Sequence, residues 1–186
     1  PQWRRRTQAG DLTDRAVGTG GPPDWRAELS AGFRLADAAD ATSLSNYLSE
    51  ELRTTHKTDG TPVSQVDLDT EQAMLDALRA IRPGDSVIGE EIGPQPGDPS
   101  RRWIFDGIDG THNFALGRPG WATAIALEAD GEIVVGVLSA PALGRRWWAT
   151  RGGGAWSSEV VPGLAFDSSA AAPLCVGGAT SLTSAG

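Results

Sequence analysis

The feature that most constrains the fold of this 186-residue chain is a run of short apolar segments, separated by turn residues, between positions 86 and 150. Asp130-Gly131 is a turn signal between two of them and predicts a hairpin. Segments of this length and spacing are typical of β-strands. The predicted strands are Ser86 to Gly89, Arg102 to Phe105, Trp121 to Glu128, Glu132 to Ser139 and Arg146 to Thr150. We therefore expect a run of antiparallel strands.

Two segments with helical periodicity precede these strands. The first is predicted to begin near Asp24 and to end near Ser49. The second is predicted to begin near Asp67 and to end before Pro83-Gly84, where proline and glycine stop a helix. Between them, a hairpin is predicted from Leu52 to Lys57 and from Thr61 to Val66. Helices followed by antiparallel strands indicate an α+β fold in which helices cover one face of a sheet.

Composition excludes several classes of protein. The hydrophobic fraction of 39% is ordinary for a globular domain. The net charge of -8 argues against a nucleic-acid partner, which would favour a basic face. A single cysteine, Cys175, excludes an internal disulfide and a multi-thiolate zinc site.

No apolar stretch is long enough for a membrane span, so we expect no membrane partner and a cytoplasmic location. Residues 1–23 are predicted to be a flexible leader.

Three acidic clusters are the candidates for chemistry. The first contains Asp67, with Asp69 and Glu71 behind it, at a predicted strand-to-helix junction. The second is Glu90-Glu91, and the third is the segment from Asp106 to Thr111; each follows a short apolar strand. Hard divalent cations such as Mg²⁺ prefer oxygen ligands. A tight turn between Asp106 and Asp109 would place both carboxylates and the Ile108 carbonyl on one side, with Glu90 bridging from the adjacent strand, as in a two-metal site.

Each cluster also has a purely structural interpretation. Asp67 alone is more often a helix cap, Glu90-Glu91 alone a solvated loop, and Asp109-Gly110 alone a turn. Their combination favours chemistry. Gly110-Thr111 is predicted to open a short helix, and free backbone N–H groups at a helix start favour a phosphate group. Cations on one side and N–H donors on the other describe a site for phosphoryl transfer.

The residues of these clusters resemble a known family. Trp103 to Phe114, with the sequence WIFDGIDGTHNF, resembles the W-x-x-D-P-x-D-G-T-x-N-F signature of the inositol monophosphatase superfamily. Ile88-Gly89-Glu90-Glu91 resembles its G-E-E motif, and the segment from Lys57 to Asp67 resembles the one that precedes it. The resemblance implies the layered α/β sandwich of the inositol monophosphatase and fructose-1,6-bisphosphatase type, αβαβα when complete, of which this chain holds mostly the N-terminal α+β half.

The resemblance also implies roles for individual residues. It implies a phosphomonoesterase that uses two or three Mg²⁺ ions and acts on a small phosphorylated substrate, commonly as a homodimer. Glu90, Asp106, Asp109 and the Ile108 carbonyl would bind the metal ions. Asp67 and Thr111 would orient and deprotonate the attacking water. The Gly110 and Thr111 amides would hold the phosphate, and Glu90 would also lie against the substrate.

Within the family, the stretch from Ser139 to Ala149 and the segment from Leu35 to Asp40 resemble actinobacterial histidinol-phosphate phosphatases. The favoured substrate is therefore histidinol phosphate, which would place the enzyme in histidine biosynthesis. Inositol monophosphate and other sugar or nucleotide phosphates remain alternatives. A hypothesis of another class is an inactive fragment that binds metal or dimerises.

Two departures from the family pattern bear on these expectations. The family's proline after the first aspartate is Gly107 here, so we expect a looser Ile108 carbonyl and weaker metal binding. The family's further aspartate, in a Trp-Asp-x-Ala context, has no counterpart after Thr111. We therefore predict a C-terminally truncated chain, with a metal-binding phosphatase domain at 24–172 and the start of a second subdomain at 173–186.

Overall fold

The fold is described here from a computed structural model, which covers residues 24–49, 61–161, 163–164 and 166–174, and of residues 61–64 the backbone alone. Two helices of 21 residues precede the strands: α1 (Arg26–Asn46) and α2 (Thr61–Ile81). The strands are β1 (Asp85–Gly89), β2 (Gly93–Gln95), β3 (Asp98–Asp109), β4 (Ala122–Ala129), β5 (Glu132–Ala140), β6 (Arg145–Thr150), β7 (Gly154–Glu159) and β8 (Ala172–Pro173). A short helix, α3 (Thr111–Ala115), follows β3, and a 3₁₀ turn (Pro141–Leu143) follows β5.

All eight strands belong to one sheet, in the order β2-β1-β3-β4-β5-β6-β7-β8. The predicted hairpin between β4 and β5 is confirmed, with Ala129 opposite Glu132. The expectation of purely antiparallel pairing is wrong at one place, because β1 and β3 are parallel. After β1 the chain reverses into β2, which pairs on the outer side of β1, so β3 returns in the direction of β1.

Both helices lie on one face of the sheet. Along β4, residues 123, 125, 127 and 129 are buried, and their neighbours are only half-buried. This alternation is expected of a strand with one covered face. Gly32 lets α1 approach β5 closely, since a Cβ atom there would lie 3.1 Å from Val137 Cγ2. The α+β class predicted from the sequence is therefore confirmed.

The opposite face of the sheet carries an open apolar depression of about 440 Å³. Asp106 is the one charged residue in its lining, which otherwise consists of small, aliphatic and aromatic residues. The apolar surface of this face therefore ends at a carboxylate. No helix in the described part of the chain is long and apolar enough to cross a membrane.

A buried ion cluster joins α1 to β6. Arg146 has no exposed surface, and its two terminal nitrogens each lie 2.8 Å from a carboxylate oxygen, one of Asp37 and one of Asp40. Ser139 donates a hydrogen bond of 2.8 Å to Asp40, and Arg146 Nε donates one to Ser139 at 3.1 Å. These charge-assisted hydrogen bonds fix the helix on the sheet.

Some predicted element boundaries are corrected by the structure. α1 lies close to its predicted limits, with Trp25 at the N-cap and Asp24 accepting a bond of 3.2 Å from the Arg26 backbone N–H. The strand predicted from Thr61 to Val66 is wrong, since this segment is the start of α2. Pro62 lies in the first turn of that helix, where no backbone N–H is needed.

Other predictions fall partly or wholly outside the described residues. These include the strand from Leu52 to Lys57 and the flexible leader at 1–23. The sequence also predicts a strand near Leu174 to Val176. Only Leu174 of this segment is described, and it directly follows the two-residue strand β8. The domain boundaries at 24–172 and 173–186 remain predictions.

Candidate metal and phosphate site

The three acidic clusters meet at one end of the paired strands β1 and β3. Glu90 follows β1, and its backbone N–H donates a hydrogen bond of 3.2 Å to the Phe105 carbonyl, beside Asp106 on β3. Asp67 projects from α2, and the charges of Glu90 and Asp106 both act on its carboxyl group. Strand pairing and helix packing thus bring together residues from three separate parts of the sequence.

A β-bulge, and not the predicted tight turn, places Asp106 and Asp109 together. Asp106 lies opposite Ala124 and Asp109 opposite Ala122, so Gly107 and Ile108 together face one residue of β4. In a regular strand, residues three apart point to opposite faces. The extra residue of a bulge restores a common side. The negative charge of Asp109 accordingly acts on the carboxyl group of Asp106.

Asp67 is buried within α2, with 6% of its surface exposed, and it does not cap the helix. Its Oδ1 atom is buried and has no hydrogen-bond partner among the described residues. Burial, followed by the negative charges of Asp106 and Glu71, raises the pKa of Asp67 to about 7. A buried carboxylate oxygen without a donor is costly unless a proton or a cation reaches it.

Asp106 is half-buried in β3, and its carboxyl group, like that of Asp67, has negative charges as neighbours. Burial, then the charges of Glu90 and Asp109, raise its pKa from 3.8 to about 6. Two neighbouring carboxyl groups with raised pKa values indicate a place that binds protons or cations.

The segment after the bulge turns sharply into α3. Gly110 has a φ of +86°, which favours glycine, and a Cβ atom there would lie 2.9 Å from the Gly120 carbonyl oxygen. Thr111 is exposed at the start of α3, and its hydroxyl donates a hydrogen bond of 3.3 Å to the Ile108 carbonyl. Ile108 itself is buried with Phe114 and Trp121, so its side chain anchors the segment that carries the carboxylates.

Glu71 is the residue that sequence reasoning missed, since it was noted only as a neighbour of Asp67. It is fully buried and accepts hydrogen bonds of 2.9 to 3.0 Å from the backbone N–H groups of Glu90, Glu91 and Ile92. Its spacing of four residues from Asp67 could have signalled this role, because residues i and i+4 share one face of a helix.

The chemistry of these groups fits a hard divalent cation, which prefers carboxylate and carbonyl oxygens. The pKa values of Asp67 and Asp106, which burial and neighbouring negative charges raise, both indicate a lack of positive charge at this place. Among the described residues, however, no three Asp, Glu, His or Cys side chains converge closely enough to hold one ion in this conformation. Glu90 and Asp109 are exposed, and the negative charges of both act on Asp106.

Comparison with known proteins shows which family this chain resembles in sequence and in fold. A histidinol-phosphatase of Streptomyces coelicolor is 46% identical over 74% of this chain and 53% of its own length. One from Mycobacterium tuberculosis is 47% identical over 70% of this chain and 50% of its own length. The crystal structure of the extragenic suppressor protein suhB from Bartonella henselae matches with a TM-score of 0.64 and 32% identity, over 72% of this chain and 53% of that one.

This chain thus spans about half the length of the curated relatives that it matches. The model of the inositol monophosphatase family matches residues 25–182, which include α1, α2, the whole described sheet and all three acidic clusters. Sequence signature, fold and family match agree, and the chain belongs to the inositol monophosphatase family.

Proposed function

We propose that this chain carries the catalytic half of a Mg²⁺-dependent phosphomonoesterase whose favoured substrate is histidinol phosphate. The observation that carries the proposal is the meeting of Asp67, Glu90, Asp106 and Asp109 at one sheet end, where burial and mutual repulsion raise two carboxyl pKa values. The named functions of the relatives support a phosphatase, and two of those most similar are histidinol-phosphatases. The proposed location is the cytoplasm.

The proposed ligands are the carboxylates of Glu90, Asp106 and Asp109 together with the Ile108 carbonyl, for two or three Mg²⁺ ions. When bound, Mg²⁺ lowers the pKa of a water molecule and neutralises charge on the phosphoryl group. The bulge in β3 supports this assignment, because it puts Asp106 and Asp109 on a common side. The hydrogen bond from Thr111 to the Ile108 carbonyl supports it too, since it holds that carbonyl in the bulged segment.

The proposed roles in proton transfer and phosphate binding belong to the residues around the bulge. Asp67 accepts the proton of the attacking water, as a carboxylate beside the proposed metal ligands can do. The Thr111 hydroxyl orients that water. The Gly110 and Thr111 N–H groups hold phosphate oxygens, because the first N–H groups of a helix have no partner within it. Glu90 also lies against the substrate.

Phosphate release tests the proposal directly. The chain is assayed with Mg²⁺ on histidinol phosphate and on inositol monophosphate. Asp106→Asn is expected to abolish release, since it removes a proposed ligand. Asp98→Asn is the matched control, because Asp98 is exposed at the other end of the same strand and is expected to leave release unchanged. Equal release by both variants would contradict the proposed site.

The preferred substrate decides between candidates of the same chemistry. Faster release from inositol monophosphate would favour the alternative, which the inositol-1-monophosphatase of Mesorhizobium japonicum, 40% identical over 59% of this chain, keeps open. The candidate of another class is an inactive fragment that binds metal or dimerises. Metal binding without release by folded protein would favour it. The family resemblance also implies a homodimer, which light scattering would test.

A further inference from the structure

Glu71 differs from the other acidic residues near the site because both of its carboxylate oxygens accept described hydrogen bonds. It is fully buried, and its carboxylate accepts three backbone hydrogen bonds from one turn. Oε1 accepts from Glu90 at 2.9 Å, and Oε2 accepts from Glu91 and Ile92, both at 3.0 Å. Charge-assisted bonds of this kind are roughly twice as strong as neutral ones.

Two glycines leave the space that this carboxylate occupies. A Cβ atom at Gly89 would lie within van der Waals overlap of Glu71 Oε2, and one at Gly107 would lie 3.1 Å from Glu71 Cγ. Gly89 ends β1, and Gly107 belongs to the bulge of β3. The side chain of Glu71 therefore packs against both strand segments, the one that leads to Glu90 and the one that follows Asp106.

The turn held by Glu71 is also attached to β3. The Glu90 N–H that donates to Glu71 donates at the same time to the Phe105 carbonyl, at 3.2 Å. The backbone of Glu90 is thus fixed from two sides, next to Asp106, while its side chain stays exposed. An exposed ligand on a fixed backbone has fewer conformations to lose when it binds an ion.

We propose that Glu71 is a positioning residue: it binds no metal itself but holds the Glu90-to-Ile92 turn so that the Glu90 carboxylate faces Asp106 in the cation site. This inference rests on the proposed function, because it assumes that Glu90 and Asp106 share a cation. Groups that orient ligands from behind commonly change metal affinity 10- to 100-fold when they are substituted.

The test measures Mn²⁺ binding by electron paramagnetic resonance, without any substrate. Glu71→Gln keeps the shape of the side chain but places an NH₂ group against backbone N–H donors. We expect it to weaken Mn²⁺ binding about 10-fold or more. Two control variants accompany it, and each isolates one other effect of the substitution.

Glu91→Gln controls for charge, since Glu91 is exposed, lies in the same turn and keeps its backbone N–H. Asp85→Asn controls for the loss of a buried carboxylate, because Asp85 accepts a hydrogen bond of 2.9 Å from Trp103 Nε1 at the other end of β1. Both are expected to bind Mn²⁺ within about threefold of the wild type. If Glu71→Gln binds Mn²⁺ as tightly as either control variant, the proposal is overturned.

The outcomes separate this inference from the proposed function. Wild-type chain that binds no Mn²⁺ overturns the cation site and, with it, a positioning role towards that site. If the wild type binds Mn²⁺ and Glu71→Gln binds it with the same affinity, only the positioning role is overturned. If Glu71→Gln does not fold, amide exchange in the wild type decides: the N–H groups of residues 90–92 must exchange as slowly as those of β1, and fast exchange overturns the proposal.

Discussion

Two clusters of carboxylates each lie between a helix and the sheet, and they differ in whether a cationic side chain neutralises them. Between α1 and β6, Asp37 and Asp40 share the buried guanidinium of Arg146. Between α2 and the end of β1 and β3, Asp67 and Asp106 have no ion-pair partner among the described residues, and their pKa values rise to about 7 and 6. The first cluster carries its own cation. The second has no cationic side chain paired with it among the described residues, and it is there that we propose the cation site.

Asp40 and Asp67 are both affected by burial, and they differ in what opposes it. Burial raises the pKa of Asp40 as well, but the charge of Arg146 and the hydrogen bonds from Ser139 and Arg146 oppose that rise. At Asp67 every neighbouring charge acts in the same direction as burial. The same desolvation therefore costs less where the fold supplies a positive charge.

The largest expected effect follows from removing the internal cation. Arg146→Met leaves two carboxylates without their partner, and breaking a buried pair in this way costs about 3–5 kcal/mol. We expect a loss of that size in the free energy of urea unfolding. Arg145→Met, an exposed neighbour on β6, is the control and should change it by about 0.5 kcal/mol or less. A loss below 1 kcal/mol for Arg146→Met, on the order of surface substitutions, would show that the cluster is not structural.

The second expected effect is stabilisation by Mg²⁺ bound at the second cluster, which has no cationic side chain among the described residues. Mg²⁺ at 100 times its dissociation constant should raise the free energy of unfolding by about 2.7 kcal/mol. Urea titrations with MgCl₂ and with NaCl of equal ionic strength measure this difference. Asp106→Asn should lose the stabilisation, and Asp98→Asn should keep it. Equal stabilisation by NaCl would mean that general screening, and not a specific site, is responsible.

A smaller effect is expected at Gly107, which sets the space around Asp67. A Cβ atom at Gly107 would lie 2.5 Å from Asp67 Oδ1 and 3.0 Å from the Asp67 carbonyl oxygen. Gly107→Ala should therefore destabilise the protein by about 1–3 kcal/mol, as overpacking does. Gly136→Ala is the matched control, because nothing lies within 4 Å of a Cβ atom there. Equal unfolding free energies for the two variants would contradict the close fit. Our prediction of weaker metal binding through Gly107 is separate and stays a prediction.

The last expected effect is a dependence of stability on pH that comes from the carboxylates of the second cluster. In the folded protein Asp67 and Asp106 bind protons up to about pH 7 and 6, against a usual carboxyl pKa of 3.8. The folded state thus holds more protons than the unfolded state between about pH 4 and 7, so stability falls as pH rises through this window. Thermal unfolding in EDTA should show a lower midpoint at pH 8 than at pH 5.

Asp67→Asn should reduce that decline, since its side chain does not titrate. Asp69→Asn, exposed on the same helix, should leave the decline as it is in the wild type. A midpoint that rises from pH 5 to pH 8 in metal-free protein would contradict the raised pKa values.

Local sequence patterns predicted the elements that depend on nearby residues. The β4–β5 hairpin was predicted from the turn signal Asp130-Gly131, and the pairing of these two strands was confirmed. The prediction of a strand from Thr61 to Val66 failed because β-branched residues there are compatible with either structure, and the packing of α2 on α1 favours the helix. The parallel pairing of β1 with β3 also depends on contacts that no local pattern encodes.

The sequence by itself determined the α+β class and the identity of Asp67, Glu90, Asp106 and Asp109 as candidates, because motif order and turn chemistry are local properties. Only the tertiary structure decided how these groups are arranged. The bulge at Gly107 and Ile108 is defined by its register against β4, and the role of Glu71 by N–H groups about 20 residues away. Burial and the sum of neighbouring charges also depend on the whole fold, so the raised pKa of Asp67 has no counterpart in the sequence.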